Sequence, residues 1–216
     1  MNLNQLCILV ESLRKNAIGE PKKIEEKQVY EYHDHTVKVV AVLKLIRAAH
    51  GVNAMNLLCR SGLFIDCGAI IRCVNDCMEE IYFLLETFPT TSANVNQFVK
   101  SFFESTIDGY LSIETPTVPR NKIRSAMVRV LRGRHDGGYV HADYAHIMEV
   151  YNGKACDFNL AGVPSTQQRQ IRMEHIEVAA KAVLYAAAFI AHTLELKDVY
   201  HAIVQALRDE GAFNAE

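Results

Sequence analysis

An apolar stripe at helical spacing after Gly62 constrains the fold more than any other feature of the sequence. Between Leu63 and Leu85, apolar residues recur every three or four positions and fall within about a third of a helix circumference. This stripe comprises Cys67, Ile70, Ile71, Val74, Met78, Ile81, Tyr82 and Leu85. The opposite side carries Arg72, Asp76, Glu79 and Phe83. Because so wide an apolar side must be covered by other elements, the stripe predicts a helix packed in a bundle.

Similar spacing predicts helices along most of the chain, and no segment shows a convincing alternation typical of a strand. Pro21, followed by mixed charge, suits the first turn of a long second helix, which ends near Gly62 with Gly51 as an interruption. The predicted helices cover, within a few residues, 3–18, 21–60, 63–85, 94–108, 120–134, 139–151, 165–194 and 197–208, with loops at 109–119 and 153–163. We therefore predict a single all-α domain over residues 1–216, an irregular antiparallel helical bundle.

Composition excludes several classes of function. The chain has 216 residues, half of them apolar, which suits one sizeable domain. A net charge of −2 gives no overall attraction for polyanions, so RNA binding would need a local basic patch. Uncharged apolar runs fall short of the roughly 18–20 residues that span a bilayer. Six cysteines without CxxC spacing indicate reduced thiols. We expect a cytoplasmic protein without a membrane segment.

A local basic patch does occur, in the predicted helix from Arg120 to Arg134. It contains six positive residues and no acidic one, and it leads into the segment "RGRHDGGYVHADY" from Arg132 to Tyr144. Arginine suits phosphate because its planar fork donates two parallel hydrogen bonds. A solvated helix face would explain the same charges, so the patch alone does not decide between RNA binding and solvation.

Two residues of this segment have the placement expected of a catalytic pair. Arg134 shares a helical stripe with Val130, and His141 lies three residues before Tyr144 at the start of the next stripe. Both should face a groove between helices. Histidine transfers protons near neutral pH, and arginine stabilises charge on phosphorus, so the pair could cleave RNA through its 2′-hydroxyl. The purely structural interpretation stays open: His141 would bond a carbonyl, and Arg134 would pair with a nearby carboxylate.

Metal binding is the other interpretation of these polar residues. The segment and its surroundings offer His135, Asp136, His141, Asp143, His146 and Glu149, and residues 33–35 add an HxH pattern. None of these falls into a spacing specific for a metal. His141 and His146 would point about 140° apart on a helix, which prevents joint ligation. We predict no metal and no cofactor.

The same residues resemble a known family. Arg134-His135-Asp-Gly-Gly-Tyr-Val-His141 is similar to the R-polar-x(4–5)-H signature of HEPN domains, which are all-α bundles of bacterial toxins and defence nucleases. Six residues separate the arginine and the histidine here. Leu57–Glu86 and Tyr139–Tyr144 resemble segments of a group of bacterial helical proteins near the HEPN fold. Together these stretches cover about a fifth of the chain.

The resemblance implies a HEPN-like bundle that acts as a metal-independent endoribonuclease in a toxin–antitoxin or defence setting. It implies a homodimer in which Arg134 and His141 of both subunits meet, with RNA as substrate and an antitoxin or other protein as partner. Arg134 would stabilise the scissile phosphate, and His141 would act as general acid or base.

Further residues are candidates for supporting roles around this pair. Arg129, Arg132, His135 and Tyr144 are predicted to hold the RNA. Arg72 and Glu79 would orient the pair if they lie buried behind it, although a structural polar ribbon against the neighbouring helix is the simpler interpretation. The alternative function is a non-catalytic HEPN-like module that binds a protein partner or a small ligand in the helical groove.

Overall fold

Seven helices make up most of the chain that the structure, a computed structural model, describes. The described residues are 2–25, 29–104, 118–131, 151–152, 157–158 and 166–211. The helices are α1 (Leu3–Ile18), α2 (Val37–Arg60), α3 (Phe64–Leu85), α4 (Ala93–Glu104), α5 (Arg120–Leu131), α6 (Thr166–Thr193) and α7 (Lys197–Asp209). The prediction of a mostly helical fold is therefore confirmed.

Capping residues fix several helix ends. Asn2 begins α1, since its side chain accepts a hydrogen bond from the Asn4 backbone N–H at 2.9 Å. Gly19 follows α1 with a φ of 65°, and Gly62 follows α2 with a φ of 75°. Both are left-handed values that glycine adopts without steric cost. The predicted stop at Gly62 is therefore confirmed.

The prediction of a helix beginning at Pro21 is wrong. Lys22–Ile24 (β1) and Val29–Glu31 (β2) form a short antiparallel pair in which Lys22 lies opposite Glu31. The long helix α2 begins only at Val37, where the Thr36 hydroxyl accepts a hydrogen bond from the Val39 N–H at 3.4 Å. Mixed charge after a proline therefore marks a hairpin here and not a first helical turn.

Arg14 explains why the chain turns back at this point. Its guanidinium is buried and bonds the Glu11 carboxylate at 2.7 and 2.9 Å and Glu20 at 2.8 Å. It also donates to the Gly19 carbonyl and, at 3.2 Å, to the Tyr32 hydroxyl. Tyr32 directly follows β2, so one side chain of α1 contacts both ends of the hairpin.

A second short antiparallel pair joins Tyr151–Asn152 (β3) to Asp157–Phe158 (β4). The predicted helix from 139 to 151 is thus wrong at Tyr151, and its other residues lie outside the described part of the chain. The loop predicted for 153–163 contains β4.

Helix α2 forms the centre of the bundle. It packs along α3, α6 and α1, and its Leu45, Ala48, Val52 and Met55 are fully buried. Gly51 does not interrupt it. A Cβ atom at Gly51 would lie 2.6 Å from Cγ2 of Val74, so glycine allows α2 and α3 to approach closely.

Helix α6 also lies in the core. Four of its alanines are fully buried: Ala180, Ala186, Ala187 and Ala191. Small residues at these positions let neighbouring helices pack closely against α6. One stretch of it, Arg169–Thr193, is long and apolar enough to cross a membrane by length and composition. Half of its most apolar window is buried inside the protein, and a core helix passes the same test, so this is weak support for a membrane span.

Candidate functional site

The predicted catalytic residues lie outside the described part of the chain. This holds for Arg134 and His141 and also for Arg132, His135 and Tyr144. Arg129 lies in α5, but its side chain is not among those described. Of the predicted site, the described part contains the supporting residues Arg72 and Glu79. It also contains α5, the helix that leads into the 132–144 segment.

Glu79 lies at the centre of an ion-pair network between α3 and α5. Its side chain is fully buried. Oε1 accepts a hydrogen bond from Arg124 Nε at 3.2 Å, and Oε2 lies 2.6 Å from Arg120 Nη2. That second contact is a close ion pair and not a hydrogen bond, because Glu79 Oε2 accepts none within the described residues. Arg120 Nε is likewise buried there without a hydrogen-bond partner. Two guanidinium groups of α5 thus share one buried carboxylate.

Arg120 connects Glu79 to two further carboxylates of α3. It donates to Asp76 Oδ1 at 2.5 Å and to Glu80 Oε1 at 3.0 Å. Asp76 also pairs with Arg72 Nε, one turn away on α3, at 3.0 Å. Acidic residues at positions i, i+3 and i+4 of one helix therefore meet the first turn of another.

Lys44 extends the network to α2 and α4. Its ammonium lies 2.7 Å from Glu80 Oε2 and sits over the rings of Phe98 and Phe102, at 5.7 and 5.2 Å from their centroids. An ammonium over an aromatic face is attracted by the ring quadrupole. The network defined by Lys44, Arg72, Asp76, Glu79, Glu80, Arg120 and Arg124 thus joins three helices, α2, α3 and α5, and Lys44 also contacts α4 through the two rings.

The carboxylate and the arginines of this network differ in how exposed they are to solvent. Glu79 is fully buried, whereas the side chains of Arg120 and Arg124 are 34% and 44% exposed. The arginines therefore cover the carboxylate from the solvent side while their own charge stays partly hydrated. Removing one partner from such a pair is costly because a buried charge is left uncompensated. The network fixes α5 against α3.

The predicted polar ribbon of Arg72, Asp76 and Glu79 is confirmed as an ion-pair network against a neighbouring helix. The sequence alone does not reveal its partners, because Arg120 and Arg124 also fit the basic patch. A usable signal existed: Arg120 and Arg124 lie one turn apart beside the buried Ile123, on the side of α5 that must face another helix.

The buried thiols and the potential metal ligands of the described residues form no reactive group. Burial raises the pKa of the Cys67 and Cys77 thiols to about 11, which keeps both protonated and unreactive at neutral pH. The described ranges contain no group of three potential metal ligands. His35 of the HxH pattern stacks on Phe103, with ring centroids 3.9 Å apart.

Comparison with protein-family models, with curated proteins and with solved structures gives no match to this chain.

Proposed function

We propose that this protein is a metal-independent endoribonuclease in which Arg134 and His141 act on the scissile phosphate. The observation that supports it best is the anchoring of α5. Arg120 and Arg124 bind buried and half-buried carboxylates of α3, so the helix leading into the 132–144 segment is fixed to the core. A catalytic pair needs a rigid support, because small displacements of reacting groups cost large factors in rate.

The network also divides the basic patch into two parts. Arg120 and Arg124 neutralise carboxylates of α3. The Lys122 ammonium donates a hydrogen bond to the Asn94 side-chain oxygen at 3.5 Å. These residues have a structural explanation. Arg129, Arg132 and His135 follow them toward the catalytic pair and hold the RNA backbone, together with Tyr144. Glu79 and Arg72 are positioning residues that act through α5.

The reaction uses the RNA itself as nucleophile. The 2′-hydroxyl attacks the adjacent phosphorus, the P–O5′ bond breaks, and a 2′,3′-cyclic phosphate and a 5′-hydroxyl result. His141 accepts the 2′-hydroxyl proton, and His141 of the second subunit of a homodimer gives a proton to the leaving oxygen. Arg134 stabilises the charge that develops on the phosphoryl oxygens. The reaction belongs to a cytoplasmic bacterial defence or toxin–antitoxin system in which the protein partner is an antitoxin or another protein.

The second candidate is a non-catalytic HEPN-like module that binds a protein partner or a small ligand. One observation favours it: the ion pairs of Arg72, Asp76 and Glu79 are fully accounted for by helix packing. In such a module the polar residues of α3 and α5 only hold the bundle together.

An RNA-cleavage assay separates the two candidates. Wild type is compared with His141→Ala, Arg134→Ala and, as a matched control, Arg208→Ala on the exposed side of α7. Both site variants should lose about 100-fold or more in rate, the range for removing a general acid–base group (His141) or a charge-stabilising donor (Arg134), while their circular dichroism stays unchanged. The control should cleave like wild type. Equal rates in all proteins, or no cleavage by wild type over a broad set of RNAs, would exclude the nuclease.

A further inference from the structure

Helix α6 carries apolar residues on its outer side as well as on the side that faces the core. Ala180 and Ala187 are fully buried, whereas Ile171, Val178 and Tyr185 are 43%, 68% and 39% exposed. The last three are half of the six large hydrophobic side chains that are exposed in the described part of the chain. A helix that is apolar all round is normally covered all round, and clustered exposed apolar residues mark interaction surfaces. The packing of the bundle therefore leaves the outer side of α6 to be explained.

The three exposed residues form one straight stripe along the helix. Ile171, Val178 and Tyr185 are seven positions apart, and a step of seven residues turns a side chain by only about 20° around an α-helix. We call these three residues the outer stripe. It is about 21 Å long at 1.5 Å per residue. Apolar residues at seven-residue spacing are the pattern by which two long helices pack along each other.

Two opposite charges border the outer stripe along the same edge. Glu174 comes four residues before Val178, and Lys181 comes three residues after it. Both lie in the same direction around the helix from Val178, at about 40° and 60°. Charged side chains are costly inside a bilayer, so these two residues favour a protein over a membrane as the occupant of this side of α6.

A second copy of α6 that runs antiparallel to the first matches this arrangement. With a twofold axis at Val178, the two Val178 side chains meet, and Ile171 lies opposite Tyr185 of the second copy. Glu174 then lies within one residue of Lys181 of the second copy, and the symmetry forms this ion pair twice. A parallel pair would instead place Glu174 against Glu174 and Lys181 against Lys181, which is unfavourable. The charges of α6 therefore complement those of its own antiparallel copy.

The other edge of the outer stripe agrees with the same register. His175 and Ala182 lie about 60° and 40° from Val178 in the opposite direction around the helix. In the antiparallel pair His175 faces Ala182 of the second copy, so like charges do not meet on this edge. The small side chain of Ala182 also lets the two helix axes approach closely.

We propose that the outer stripe of α6 is the contact between two copies of this chain, packed as an antiparallel helix pair about a twofold axis at Val178. Two ion pairs between Glu174 and Lys181 fix the register. The inference rests on the homodimer of the proposed function, and it adds which side of the molecule forms the contact and how the two copies are oriented.

Sedimentation equilibrium of the full chain, measured without RNA, tests the contact. Wild type should form a dimer. Val178→Asp should weaken the dimer about 100-fold or more, because two carboxylates would meet at the twofold axis. Tyr30→Asp is the matched control: Tyr30 lies on β2 and is 67% exposed, close to the 68% of Val178, and this variant should dimerise like wild type.

Charge reversal tests the register. Glu174→Lys and Lys181→Glu, each alone, should weaken the dimer about tenfold, because either change turns both ion pairs into repulsions. The double variant Glu174→Lys/Lys181→Glu forms the same pairs with their signs exchanged, so its affinity should return to within about threefold of wild type. Thermal unfolding of each variant at low protein concentration separates a lost contact from a lost fold.

Three results would overturn the proposal. A monomeric wild type would leave the outer stripe to a different protein or to a lipid surface. A dimer that Val178→Asp leaves intact would place the contact elsewhere, and a double variant as weak as the single ones would contradict the antiparallel register. These results are independent of RNA cleavage: a monomer that cleaves RNA would contradict this contact and not the cleavage, and a dimer that cleaves no RNA would contradict only the nuclease.

Discussion

At the scale of single residues, Glu79 shows how a polar position of a helix becomes part of the core. It lies on the side of α3 opposite the apolar stripe, which by helix position alone should be solvated. Its side chain is nevertheless fully buried, and Arg120 and Arg124 of α5 lie against its carboxylate. Its burial is tolerable only because two cations lie against it, since an unpaired buried carboxylate is strongly unfavourable.

Replacing Glu79 by alanine should destabilise the protein by about 1.5–3 kcal/mol, the range for hydrogen bonds to charged groups. The cost should stay below that of breaking a fully buried pair, because Arg120 and Arg124 keep part of their hydration. Chemical denaturation measures the effect. Glu104→Ala is the control: its pair with Lys100 is exposed, with 3.6 Å between the charged atoms, and should contribute under about 0.5 kcal/mol. Equal costs for the two variants would contradict the central place given to Glu79.

Glu11 gives a pH dependence at the same scale. The hydrogen bond from Arg14 lowers the pKa of Glu11 below its ordinary value of 4.5. Because the pKa of Glu11 is lower in the folded protein than in the unfolded chain, the ionised carboxylate stabilises the fold at any pH above its unfolded pKa. This stabilisation is lost as the pH falls through the pKa of the folded protein. Wild type should therefore melt at a higher temperature than Glu11→Gln at neutral pH, and the two should converge in acid. Glu104→Gln, at an exposed position of α4, is the control for the loss of a surface charge and should melt like wild type at neutral pH. A constant difference between wild type and Glu11→Gln at all pH values would contradict this account.

At the scale of elements, the long helices follow from their sequence and the short strands do not. The stripe from Cys67 to Leu85 and the glycine at position 62 predict α3 and the end of α2, because local periodicity and backbone freedom decide both. Strands β1 and β2 have three residues each, too few for an alternation to be recognised. Arg14 of α1 contacts Glu20 and Tyr32 on either side of this pair, and no local pattern in the sequence shows those contacts.

The approach of α2 to α3 gives a test at this scale. Gly51→Ala should destabilise the protein although alanine is the better helix former by about 1 kcal/mol. The new methyl group would lie 2.6 Å from Val74 Cγ2, and overpacking of a core costs about 1–3 kcal/mol. Val74 is stiff in a helix and cannot turn away freely. The double variant Gly51→Ala/Val74→Ala should therefore lose less stability than the sum of the two single variants. Strict additivity in denaturation experiments would contradict the close contact.

At the scale of the whole molecule, the sequence predicts the helices of the bundle better than the polar contacts between them. Periodicity identifies most helices, but it does not reveal which charged residues of distant helices meet. Asp76 and Arg120 are 44 positions apart and pair only because α5 returns to α3. The same holds for Lys44 and Glu80, which pair across α2 and α3. Local sequence patterns do not show contacts between residues that are distant along the chain. The predicted pair of Arg134 and His141 stays a prediction.

The most direct test of the central claim is the chemistry of the RNA ends made in the presence of a metal chelator. An RNA that wild type cleaves is compared with the same RNA carrying one 2′-deoxynucleotide on the 5′ side of the cut. If His141 and Arg134 promote attack by the 2′-hydroxyl, cleavage should persist with chelator and leave a 2′,3′-cyclic phosphate, and the deoxy substitution should abolish that cut. Cleavage that stops with chelator, or that proceeds at the deoxy position, would contradict the proposed mechanism.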